Sequence, residues 1–182
     1  FETDDNTHKV LELTAAEQTF VFQRVQEKPV PSLLRGFSAP VKLHYHYSRA
    51  DLVLLMSRDS DGFNRWEASQ QLGLAAIYTA MQHYQQGGDL SGWVLDADLI
   101  EAYRSVLQDE SLDQAMVAYM LSLPSEAYLS ELAEVVDVEA IHYSRLAVRK
   151  ALAHALRDEF VRIYNAYDHQ QAYRVTADAI AS

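Results

Sequence analysis

Cysteine is absent from all 182 residues. Its absence excludes a disulfide framework, a thiolate nucleophile and any cysteine-ligated zinc. It also suits a reducing compartment, and a cytoplasmic location is the expectation. Basic residues are scarce: 15 Lys and Arg stand against 26 Asp and Glu, for a net charge of −11. Nucleic-acid binding draws its affinity from clustered Lys and Arg, and adhesion to anionic lipid does the same. Neither partner is expected. No stretch approaches the roughly 18 apolar residues that span a bilayer. The opening Phe1-Glu2-Thr3-Asp4-Asp5 is acidic and lacks the basic start of a signal peptide. What is present is ordinary for a globular chain, 49% hydrophobic and 23% charged residues, so a packed core is expected.

The hydrophobic rhythm changes near Ser48. Before it, apolar residues alternate. His8 to Leu13 is a short apolar run, and Gln18 to Val25 places Phe20 and Phe22 on one face; two such runs joined by a few residues predict a hairpin. Pro29 and Pro31 interrupt pairing around Val30. Ser32 to Arg35 is a short strand candidate. The clearest alternation is Val41, Leu43, Tyr45 and Tyr47 against Lys42, His44 and His46, one face buried and one wet. These runs predict the trailing part of an antiparallel sandwich, since they are too few to close one.

From Arg49 onward the spacing becomes helical. Ser48 is a cap, with Asp51 in the first turn. After a break at Asp59-Ser60-Asp61-Gly62 comes a long helix whose predicted packed stripe is Phe63, Trp66, Gln70, Leu74, Ile77, Met81 and Tyr84. Gly87-Gly88 ends it. Asp96 is placed as the cap of a helix bearing Leu99, Ile100, Tyr103, Val106 and Leu107. A short helix carries Met116, Tyr119 and Met120, and Pro124 suits the first position of the next. Asp137 caps what reads as the longest helix, with Ile141, Val148, Leu152, Leu156, Phe160 and Ile163 on its face. A loop is expected over Asn165 to Gln171, and Thr176 caps a last helix that does not finish. No strict repeat period exists, so the expectation is an irregular stack of helical hairpins, solenoid-like. The raw ends suggest a piece of a larger protein.

Several runs then match one family in register: Leu11-Glu12-Leu13-Thr14, Glu17-Gln18-Thr19-Phe20-Val21-Phe22, Pro29 through Arg35, Phe37 through Leu43, Phe63-Asn64-Arg65-Trp66-Glu67-Ala68, Val106 through Glu110, Leu121 through Glu126, and Ile163-Tyr164-Asn165-Ala166. In these the chain resembles the bacterial aminopeptidase N family of zinc-dependent metallopeptidases. The resemblance implies a parent with an N-terminal β saddle, a thermolysin-like catalytic domain, a small immunoglobulin-like β-sandwich and a large helical C-terminal domain. It implies removal of single residues from peptide N-termini, with broad preference including alanine and basic residues. It places this chain as the end of the sandwich (1–48) and the start of the helical domain (49–182). The expected class is therefore α+β in segregated segments.

The chain departs from that family where chemistry is concerned. It contains no His-Glu-x-x-His, which would supply two zinc ligands and a general base. It also lacks the Gly-x-Met-Glu-Asn segment that holds a substrate's amine. No catalytic, cofactor-binding or metal-ligating residue is assigned to it, and zinc is placed in the parent's catalytic domain. The remaining constellations have blander readings. His44 and His46 share a strand face, but Lys42 on that face repels a cation and a third ligand is missing. His142, His154 and His169 are scattered. Asp59 and Asp61, and Asp109, Glu110 and Asp113, faintly suggest calcium, but Phe63 falls at the fifth loop position and offers no oxygen; acidic helix caps are the better reading. Gly87-Gly88-Asp89 is no phosphate loop, no Gly-x-Ser-x-Gly elbow exists, and carboxylate pairs alone do not make a glycosidase. Tyr45, Tyr47, Tyr119, Tyr128, Tyr164 and Tyr167 read as amphipathic packing residues. The expected role is a non-catalytic C-terminal fragment that packs on the catalytic domain and limits access to its cleft. The alternative is an independent helical protein-interaction module. Exposed apolar faces and strand edges predict some self-association.

Overall fold

The structure, a computed structural model, describes residues 8–167. The chain divides between Pro31 and Ser32 into two compact units. In the first, residues 8–31 run without helix or paired strand. Its local order comes from contacts such as Thr14, whose backbone N–H donates to Gln18 Oε1 at 3.0 Å. The described residues before Ser48 therefore do not form the expected antiparallel sandwich portion. The physical reason is that alternation marks which residues could share a face but supplies no ladder partner. A lone hairpin is marginal in water, and Pro29 and Pro31 each remove a ladder donor.

The second unit opens with a tight reversal at Arg35–Phe37 and continues into seven helices among the described residues: α1 (Arg49–Arg58), α2 (Gly62–Gln85), α3 (Ala97–Gln108), α4 (Gln114–Leu121), α5 (Glu126–Leu132), α6 (Val138–Ala155) and α7 (Arg157–Tyr167). Their starts follow cap chemistry. Ser48 Oγ accepts from Asp51 N–H while Asp51 accepts from Ser48 N–H, a reciprocal capping box. Asp61, Asp113, Ser125 and Asp137 each accept a first-turn N–H. Gly87, at φ +82°, ends α2 in the left-handed region.

The helix α2 is the axle. It packs on α1, α4 and α6; α1 also meets α3, α5 lies on α6, and α3 meets α4 and α7. Such an axle is covered on several sides, so its buried residues depart from the large stripe predicted, of which Ile77 and Met81 alone are buried. The buried residues are Arg65, Ala68, Ser69, Leu72, Gly73, Ala76, Ile77, Ala80 and Met81. Small residues dominate because backbones approach closely there: a Cβ at Gly73 would lie 3.2 Å from Leu123 Cδ2 and Pro124 Cδ. Phe63, Trp66, Gln70, Leu74 and Tyr84 are only half-buried. The core gathers Met56, Leu72, Ile77, Leu99, Tyr103, Val106, Met120, Leu129, Ile141, Val148 and Leu156. Burial of each large side chain is worth about 2 kcal/mol.

Four further expectations are corrected. Asp96 precedes α3 but makes no side-chain cap bond; its carboxylate pairs with Arg49 at 2.8 Å instead. Pro124 lies before the Ser125 cap and is not the first helical residue. The helix capped by Asp137 ends at Ala155, so Phe160 and Ile163 belong to α7, and α2, at 24 residues, is the longer helix. Asn165 to Tyr167 continue α7 rather than opening a loop. Thr176 and the expected last helix lie outside the described residues.

Candidate functional site

The most elaborate polar construction joins the Ser32–Phe37 reversal to the α1–α2 turn. The reversal uses three left-handed residues, Leu34 (φ 53°), Gly36 (φ 59°) and Phe37 (φ 56°). Two are not glycine, a conformation that persists when surroundings hold it. Here the hold is visible. Arg35 Nη1 donates to Asp59 Oδ1 at 2.5 Å and to Ser32 Oγ at 2.8 Å, and Arg35 Nη2 donates to Ser60 Oγ at 2.8 Å. Gly36 N–H donates to Asp61 Oδ2 at 3.0 Å. Asn64 Nδ2 donates to Ser32 Oγ and to the Leu33 carbonyl, at 2.7 and 3.1 Å. The Phe37 and Phe63 rings close the other side, with centroids 3.8 Å apart.

Burial alone would raise the Asp59 pKa. Hydrogen bonds from Ser32, from the Asp61 N–H and from Arg35, with that guanidinium's charge, outweigh it and hold the carboxyl below its ordinary value. The acidic pair that faintly resembled a calcium loop is thus committed to protein donors: Asp59 to Arg35 and the Asp61 N–H, Asp61 to Gly36 and Asn64.

The second acidic cluster is equally occupied. Asp109 accepts from Ser111 through both N–H and hydroxyl, and from Arg65 Nη1 at 2.8 Å. The Ser111 hydroxyl and then Arg65 lower its pKa. Asp113 caps α4 by accepting from Met116 N–H. Glu110 is exposed. Arg65 itself is buried, and its Nε donates to the Met56 carbonyl at 2.9 Å. It fastens the end of α1 to the end of α3 across α2.

The histidines do not converge. His44 and His46 lie exposed on the extended segment before α1. His142 Nδ1 sits 3.0 Å from Glu126 Oε1, tying α6 to α5. His154 is exposed on α6, and His169 lies outside the described residues. Of the tyrosines, Tyr45 and Tyr47 meet with ring centroids 4.5 Å apart and planes tilted by 56°, while Tyr119, Tyr128 and Tyr164 are exposed. Tyr167 is the last described residue of α7. Tyr103, not singled out from the sequence as polar, is fully buried, and burial pushes its pKa up. Its hydroxyl has no hydrogen-bond partner among the described residues. Its helical spacing marked it as core, but the same spacing placed Tyr119, which is exposed, on a helix face as well.

Among the described residues no group of three His, Asp or Glu side chains stands where it could hold a metal ion. Catalytic zinc needs three protein ligands. The described donors do not fit zinc.

Comparison with known proteins supplies the frame. The family described as a domain of unknown function (DUF3458_C) with ARM repeats matches residues 49–182. One described as DUF3458 with an Ig-like fold matches residues 2–46, although the described part of that segment contains no paired strand. Aminopeptidase N of Escherichia coli is 44% identical over 96% of this chain and 20% of its own length. Aminopeptidase N of Haemophilus influenzae is 31% identical over 94% of this chain and 19% of its own. A crystal structure of Legionella pneumophila aminopeptidase A in complex with aspartic acid superposes with a TM-score of 0.65. It shares 33% identity and covers 85% of this chain and 18% of that one. The chain thus spans about a fifth of the length of the first relatives it matches. The chain belongs to the DUF3458_C family of ARM-repeat domains and, over nearly all its length, is homologous to one segment of the aminopeptidases N.

Proposed function

We propose that this chain is a non-catalytic supporting region of a zinc-dependent aminopeptidase N, with residues 1–48 from its β-sandwich and 49–182 from its helical domain. In the parent, the helical stack packs on the catalytic domain and narrows access to the cleft, which helps exclude water and folded substrates. The observation that carries this reading is the 44% identity extending over 96% of the chain but only 20% of the relative. The zinc, the peptide substrates and the cutting residues then belong to the rest of the parent, and the catalytic domain is the partner of this region.

The test is direct. The 182-residue chain, incubated with an alanine anilide, should show no turnover, and metal analysis should find no stoichiometric zinc. Zinc at one per chain, or hydrolysis above background, overturns the reading. We place the parent in the cytoplasm, in keeping with the cysteine-free sequence; cell fractionation reads this out. The ARM-repeat match favours one second reading, an independent helical module that binds other proteins. The upstream reading frame separates the two: a preceding His-Glu-x-x-His eliminates the free-standing module, and a start codon close to Phe1 supports it.

A further inference from the structure

A groove of about 560 Å³ lies between the loop before α3 and the outer side of α6. That size suits a small organic ligand. Trp93, Leu95 and Ile100 form one side, and Leu146, Ala147 and Ala151 contribute to the other. The tryptophan wall is held in place. Its ring centroid lies 5.5 Å from that of His83, its backbone N–H donates to the Leu90 carbonyl at 3.2 Å, and Ser91 donates to Asp89 to brace the turn before it.

The charges of the groove run against those of the molecule. The chain carries a net −11, yet no Asp or Glu lines this groove, and its ionisable basic side chains are Lys150 and His154. These stand at i and i+4 on α6 and so share one edge. No ion pair among the described residues involves Lys150, which is exposed. An apolar, aromatic-walled groove with an uncommitted ammonium at its rim complements an anion on an apolar body.

We infer that the groove between Trp93 and α6 binds a small apolar carboxylate, its hydrocarbon against Trp93, Leu95 and Ile100 and its carboxylate on Lys150, with His154 beside it. This inference is independent of the supporting role proposed above, because it requires no catalytic domain.

The sequence has two tryptophans, so a W66F variant leaves Trp93 as the sole indole reporter. Titration of that chain with 3-phenylpropionate should change the Trp93 emission saturably at one per chain, with a dissociation constant of about 1 mM or tighter, the range for a ligand of this size. The neutral isostere 3-phenylpropionamide should bind about tenfold more weakly, since it forfeits a charge-assisted contact. Lys150→Met should reduce carboxylate affinity by about the same factor and leave the amide's unchanged, with circular dichroism reporting an intact helical fold. Equal binding of acid and amide overturns the assignment, as does an unaltered affinity in K150M. Absence of saturation up to about 10 mM does so too.

Discussion

Arg65 carries a guanidinium into the interior of a helical stack, where an unpaired charge is costly. Its bonds to the Met56 carbonyl and to Asp109 make that position tenable. Arg65→Met should cost about 2–3 kcal/mol in urea denaturation, through the lost charge-assisted bonds and the freed Met56 carbonyl. The loss is limited because the Asp109 side chain retains some exposure and keeps its Ser111 bonds. A cost below about 0.5 kcal/mol, the level of an ordinary surface change, would show that the clasp is not structural. Residue-level reading of the sequence placed the acidic clusters correctly as caps in the case of Asp61 and Asp113. It could not see that Asp59 meets Arg35 or that Asp109 meets Arg65. Those partners are 24 and 44 residues away in sequence, and a local pattern contains no trace of them.

Elements begin and end here by local rules. Ser48 and Asp51 start α1, Asp137 starts α6, and Gly87 stops α2. Each of these was readable because capping depends on residues within four positions of one another. Ser48→Ala removes the acceptor for the Asp51 N–H and should lower stability by about 1 kcal/mol. A thermal melt beside the wild type measures it, and an unchanged midpoint would assign the start of α1 to packing instead. The extended segments failed the same kind of reading. Val41 to Tyr47 alternates as a strand should, but among the described residues no neighbour supplies the ladder. Pairing is a property of two segments, and alternation describes only one.

Across the whole molecule, carboxylates held below their ordinary range set the response to acid. Asp98 is lowered by its hydrogen bond from Arg49, Asp109 by Ser111 and Arg65, and Asp59 by hydrogen bonds that overcome its burial. A carboxyl whose folded pKa is depressed adds stability that is complete above its unfolded value, near 3.9 for Asp, and disappears as pH falls through the folded value. Urea midpoints should therefore hold between neutrality and about pH 5 and decline below about pH 4. A midpoint that rises on passing below that range would contradict the clasp geometry. The helical character after Ser48, the caps at Ser48, Asp61, Asp113 and Asp137, the acidic balance and the kinship to a peptidase segment followed from residues close together in the chain or from composition, because hydrogen-bonded turns and net charge need no distant partner. Which side of α2 is buried, which carboxylates meet arginines, and that a basic-rimmed groove forms beside Trp93 arise from segments brought together by packing. A contact between distant segments has an energy only once both are in place.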